Sequence, residues 1–122
     1  MKPGDLAERT RRFTAKDVEA LSRLTGAPLR TGLVAEPFIH AMFSDLLGMD
    51  LPGQGANYLK QEIRFLAPAP LGEPLTARVE ITRLRPDKHL VDLATTCRTE
   101  DGSLIADGRA LIYAKDVSGA FD

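Results

Sequence analysis

The chain has 122 residues, enough for one compact domain with a real core and too few for two. Its hydrophobic share of 43% and charged share of 27% are those of an ordinary globular protein. A net charge of −1 gives no general pull toward nucleic acid or an anionic membrane. The lone cysteine, Cys97, excludes an internal disulfide and has no metal-ligand spacing around it, so neither a metal nor a cofactor is expected. The first five residues lack the apolar run of a signal peptide, and no stretch is long enough to cross a bilayer, so the expected address is the cytoplasm.

Residues 7–13 carry Arg9, Arg11 and Arg12 among few apolar groups and read as a short exposed strand or arm. A helix start follows. Thr14 with Asp17 three positions on resembles a capping box, and Val18, Leu21, Leu24 and Ala15 form an apolar stripe at helical spacing, which Gly26 ends. Residues 27–32 are a loop by their Pro and Gly content.

Residues 35–48 read as one largely apolar helix, with Pro37 early and Gly48 just past its end. After a turn-rich connection at 51–55, four strands are expected, at 57–65, 75–84, 89–99 and 103–115. Each alternates with the period of two that a sheet with one wet face requires. In the first, Leu59, Gln61, Ile63 and Phe65 oppose Tyr58, Lys60, Glu62 and Arg64. The third places Val91, Leu93, Thr95 and Cys97 on one face, and Asp101-Gly102 is the best hairpin signal in the chain. A helix followed by an antiparallel meander makes the class α+β, a sheet wrapped around a central helix in a single domain over 1–122. Strand 57–65 has the length of an exposed edge, and pairing with its own copy across a two-fold axis is the economical way to cover it, which predicts a dimer with a continuous sheet. Gln61 falls on the helix-facing side, either as a satisfied buried amide or as a substrate-facing group.

Residues Leu47-Gly48, Leu51-Pro52-Gly53-Gln54-Gly55, Tyr58-Leu59, Gln61, Phe65, Pro68, Gly72, Leu75-Thr76-Ala77, Val79-Glu80, Thr82, Asp87-Lys88 and Asp101-Gly102 follow one another in a familiar order. So does Arg12-Phe13-Thr14 ahead of a helix ending Leu24-Thr25-Gly26. The pattern resembles the MaoC-like (R)-specific enoyl-CoA hydratases. The resemblance implies a hot-dog fold, an acyl-CoA or acyl-carrier-protein thioester as substrate, and a lyase reaction of the hydratase/dehydratase kind. In that family the Thr-Gly helix end leads into Asp-x-Asn-Pro-x-His, whose Asp and His are the acid/base pair. Here Gly26 leads into Ala27-Pro28-Leu29-Arg30-Thr31-Gly32 and neither residue is present. The connection to the central helix is also shorter by roughly a dozen residues, which predicts a more open pocket. The family's His-Gly at the helix start has no clean counterpart. Placing His40-Ala41 there would force a deletion of more than a turn inside a packed helix; an ungapped register anchored on Leu46-Leu47-Gly48 costs less, puts Ala35-Glu36 there and places Ser44 at a serine that lines the family's site.

Glu36, His40 and Ser44 are spaced by four and stack on one helix face. A carboxylate able to reach an imidazole is the minimum for acid/base chemistry near neutral pH, so Glu36 and His40 are the candidate catalytic pair. Ser44, Pro37, Gln61 and Arg30 are candidate substrate-binding residues, Arg30 toward a CoA phosphate. The plainer reading is a first-turn Glu serving the helix dipole and a pair four apart supporting the helix. His89 is expected to be exposed, and Asp45 to be a surface or interface residue. Three functions stay open: a hydratase or dehydratase with a relocated acid/base pair, a hot-dog thioesterase with Glu36 as base or nucleophile, and a non-catalytic hot-dog subunit.

Overall fold

In the computed structural model, which describes residues 1–28 and 32–122, the elements run β1 (Leu6–Arg11), α1 (Ala15–Thr25), α2 (Glu36–Met49), β2 (Asn57–Phe65), β3 (Leu75–Arg85), a 3-10 turn (Pro86–Lys88), β4 (Leu90–Thr99) and β5 (Leu104–Tyr113). The five strands form one antiparallel sheet in the order β1-β3-β4-β5-β2, so β1 and β2 are its two edges. The expected α+β class and every expected strand are present.

The core lies between α2 and the inner face of the sheet. Ile39, Met42, Phe43, Leu46 and Leu47 of α2 are buried against Leu75, Ala77, Val79 and Ile81 of β3 and Val91, Leu93 and Cys97 of β4. Ala77, Ala106 and Ala110 are fully buried small residues of the sheet in the same core cluster as Phe43, the largest fully buried side chain of α2. Burial pushes the Cys97 thiol up to about 11, which makes it an inert part of this floor.

The capping box at α1 is real. The Thr14 N–H donates to Asp17 Oδ2 at 2.8 Å while the Thr14 hydroxyl accepts from the Asp17 N–H, and Gly26 closes the helix in the left-handed region at φ 72°. The apolar stripe expected along α1 is not buried as a whole. Val18 is covered, but Leu24 is 85% exposed, because among the described residues no strand or helix covers its side chain. Gly48 does not end α2 either. The helix continues to Met49 and caps at Asp50, whose N–H donates to the Leu46 carbonyl, and the left-handed turn falls at Gly53 (φ 109°) instead. Burial of Leu46 and Leu47 holds the last turn helical through a glycine that offers no side chain of its own.

Arg9 of β1 ties that end down through ion pairs to Asp45 and Asp50, the latter at 2.9 Å. Asp45 is thus the surface residue expected, with a structural partner. His89 departs from expectation. It is half-buried, in the left-handed region at φ 57°, with ring centroids 6.1 Å from both Tyr113 and Phe121.

β2 carries the most consequential irregularity. Its pairing with β5 shifts register between Tyr58 and Lys60, a bulge centred on Leu59. The strict alternation expected for 57–65 therefore breaks: Gln61 and Ile63 stay half-buried on the helix side, Leu59 is 53% exposed, and Tyr58 turns inward toward α2 instead of out with Lys60.

Candidate active site

The site is built on the face of α2 that the core does not use. Glu36, His40 and Ser44 all lie on that face and are exposed, one turn apart, beside the edge strand β2. Glu36, Pro37 and His40 from α2 and Gln61, Ile63 and Phe65 from β2 together line one open groove of about 380 Å³. A second open cleft of about 590 Å³ continues from it over the start of α2. It shares Glu36, Pro37 and Phe65 and is otherwise apolar, with Leu33, Val34, Ile39 and Leu66 among its walls. The segment that enters α2 is held by the Val34 N–H donating to the Ala69 carbonyl at 2.8 Å and by a bridge from Leu33 to Pro70.

The helix start is not sealed by a side chain. Ala35 is the N-cap, with extended backbone (φ −68°, ψ 137°) and no side-chain acceptor; its carbonyl accepts the Phe38 N–H at 3.0 Å, and Pro37 contributes no N–H of its own. The first-turn N–H groups and the Glu36 carboxylate share the positive end of a 14-residue helix, where negative charge is favoured. Deeper in the groove, Gln61 Nε2 donates to the Tyr58 hydroxyl at 3.4 Å. Burial raises the Tyr58 phenol above its ordinary range, and the neighbouring Ser44 and Gln61 side chains pull it partly back. The His40 and Tyr58 rings meet edge to face, with centroids 6.3 Å apart and planes inclined by 74°.

The structure thus brings Glu36, Pro37, His40 and Gln61 to one groove and puts Ser44 a turn further along the same face. No hydrogen bond or ion pair joins Glu36 to His40. Arg30 lies outside the described residues. Gln61 is half-buried and partnered by Tyr58, so both readings of it retain a basis. Tyr58, which touches the groove residues His40 and Gln61, is the neighbour that sequence reasoning missed: strict alternation assigned it outward, and nothing local to Leu59 announces a bulge. Among the described residues no group of three or more His, Cys, Asp or Glu side chains is placed to hold a metal ion, and no helix is long and apolar enough to cross a membrane.

An (R)-specific enoyl-CoA hydratase of Aeromonas caviae is 36% identical over 92% of this chain and 94% of its own length. The chain belongs to the MaoC-like family of (R)-specific enoyl-CoA hydratases. The solved structure of an (R)-hydratase from A. caviae involved in PHA biosynthesis superposes with a TM-score of 0.86 at 32% identity, covering 92% of this chain and 96% of that one, and fixes the hot-dog fold. A mitochondrial 3-hydroxyacyl-[acyl-carrier-protein] dehydratase of Solanum lycopersicum is 27% identical over 90% of this chain and 75% of that protein. No protein-family model matches the chain. Its relatives are hydratases and dehydratases, so this member of the family is a lyase-type protein of the enoyl-thioester kind. What sets it apart is local. Between Gly26 and Glu36 it has neither aspartate nor histidine, the residue types that the family's Asp-x-Asn-Pro-x-His segment supplies.

Proposed function

We propose that this hot-dog protein adds water to, or removes it from, an acyl thioester in the α2–β2 groove, with His40 and Glu36 in place of the family's acid/base pair. The observation that carries the reading is that Glu36 and His40 wall the same groove beside an uncapped helix start. In the hydration direction His40 takes a proton from water as the hydroxyl adds to the β-carbon of the enoyl thioester. The Glu36 N–H and the positive end of α2 hold the charge that develops on the thioester oxygen. The proton then passes to the α-carbon, which closes the balance. Glu36 orients the imidazole or shares its charge. The substrate is an acyl-CoA or acyl-carrier-protein thioester, the two carriers named for the relatives.

The functional unit is a homodimer in this reading. β2 is a free edge with Leu59 at 53%, Phe65 at 38% and the following Leu66 at 50% exposure, and pairing with its copy would extend the sheet and cover them. A non-catalytic subunit is the second reading, favoured by the lack of any bond between Glu36 and His40.

Incubation with crotonyl-CoA separates the readings. Loss of enoyl absorbance without thiol release is the expected result. Release of free CoA thiol instead would make Glu36 the base or nucleophile of a thioesterase, and silence in both assays would leave the non-catalytic subunit.

A further inference from the structure

Tyr58 meets two of the candidate site residues at once. Its ring lies edge to face against His40 at 6.3 Å between centroids, and its hydroxyl accepts from Gln61 Nε2 at 3.4 Å. It does so only because the bulge at Leu59 turns it inward, and a β-bulge beside a groove is a common way to re-aim one side chain. We propose that Tyr58 is the positioning residue of this site, its ring holding the His40 imidazole in one orientation while Gln61 anchors its hydroxyl.

The proposal rests on the reading under "Proposed function" and on two physical steps. First, His40 sits on an exposed helix face with no hydrogen bond among the described residues to fix it, so without a neighbour its side chain would exchange among staggered rotamers. A proton-transfer group that wanders by an ångström loses much of its effect, and an aromatic edge-to-face partner at this separation favours one rotamer over the others. Second, the ring is itself anchored: Gln61 Nε2 donates to the phenol oxygen, which ties the side chain to the neighbouring position of β2 on the groove side.

Two variants test it in the full chain. Tyr58→Phe keeps the ring and removes the hydroxyl, whereas Tyr58→Leu removes both. At 37% exposure Tyr58 tolerates either change without loss of the fold, which thermal melting checks. The readout independent of turnover is the His40 side chain by NMR. A single χ1 rotamer with NOEs to ring 58 is expected in the parent and in Tyr58→Phe, and averaged rotamers in Tyr58→Leu. On crotonyl-CoA, kcat is expected to fall about 10-fold in Tyr58→Leu with KM nearly unchanged, and by a smaller factor in Tyr58→Phe. A His40 rotamer distribution indifferent to Tyr58→Leu would overturn the proposal. If the parent shows no hydration at all, the proposed function fails, while the NMR result still decides whether Tyr58 holds His40.

Discussion

Replacing His40 by alanine is expected to lower kcat for crotonyl-CoA hydration by about 10²–10⁴-fold, the usual contribution of a positioned general acid or base. That is about 3–5 kcal/mol of transition-state stabilisation, large beside anything the residue does for the fold. His40 is exposed and makes no hydrogen bond among the described residues, so its removal is expected to leave thermal stability within about 0.5 kcal/mol of the parent. Glu36→Gln, which keeps shape and removes charge, is expected to lower kcat by a smaller factor, because an orienting carboxylate acts through the imidazole. A drop in melting temperature with kcat intact would show instead that these residues only support the helix. The pairing of a kinetic with a thermal readout separates the two outcomes.

Gly108→Ala carries the largest expected effect on stability. Gly108 lies on β5 opposite Ile63 of β2, and a methyl group there would collide with the Glu62 carbonyl, at 2.8 Å from its carbon and 3.1 Å from Ile63 Cα. These are backbone atoms of a paired strand and cannot turn aside as a side chain would. The edge strand must move away from the sheet, at a cost of about 3 kcal/mol and roughly a 10 °C fall in melting temperature. Because Gln61, Ile63 and Phe65 ride on that strand, the groove would widen with it. Gly48→Ala is the matched control: nothing lies within 4 Å of its added methyl and the residue is helical, so the same change is expected to be neutral or to stabilise by about 0.5–1 kcal/mol. Unfolding curves of both variants check the contrast.

The parts of the fold that were legible in the sequence are those whose signal is local or periodic. Thr14 and Asp17 announce their own helix, and the alternation through Leu75, Ala77, Val79 and Ile81, all at most 1% exposed, reads directly as a strand on a core. What was not legible depends on neighbours distant in sequence. Leu24 completes a helical stripe on paper, yet among the described residues no element arrives to cover it. Gly48 looks like a terminator but stays helical because Leu46 and Leu47 are fully buried on the sheet. Tyr58 reverses its face at a bulge set by the pairing of β2 with β5, which the alternation of β2 alone does not reveal. For the site, the spacing of Glu36, His40 and Ser44 gave their shared face correctly, since helical geometry follows from the numbers alone. That His40 has an aromatic neighbour, and that Glu36 makes no bond to it, are properties of the groove.

One contrast with the family pattern lies in a short stretch. The chain superposes on an A. caviae hydratase structure over 92% of its length, while residues 27–35 hold neither the aspartate nor the histidine of that pattern. In the proposed function the chemistry therefore falls to what α2 and β2 present to the open groove.

Titration of the ¹⁵N-labelled protein with butyryl-CoA, a saturated thioester that cannot be hydrated, tests that claim most directly. Amide shifts concentrated at Glu36, His40, Ser44 and Gln61 are the result expected here. Shifts gathered on the opposite face of the sheet, around Asp92 and Arg109, or no shifts at saturating ligand, would contradict it.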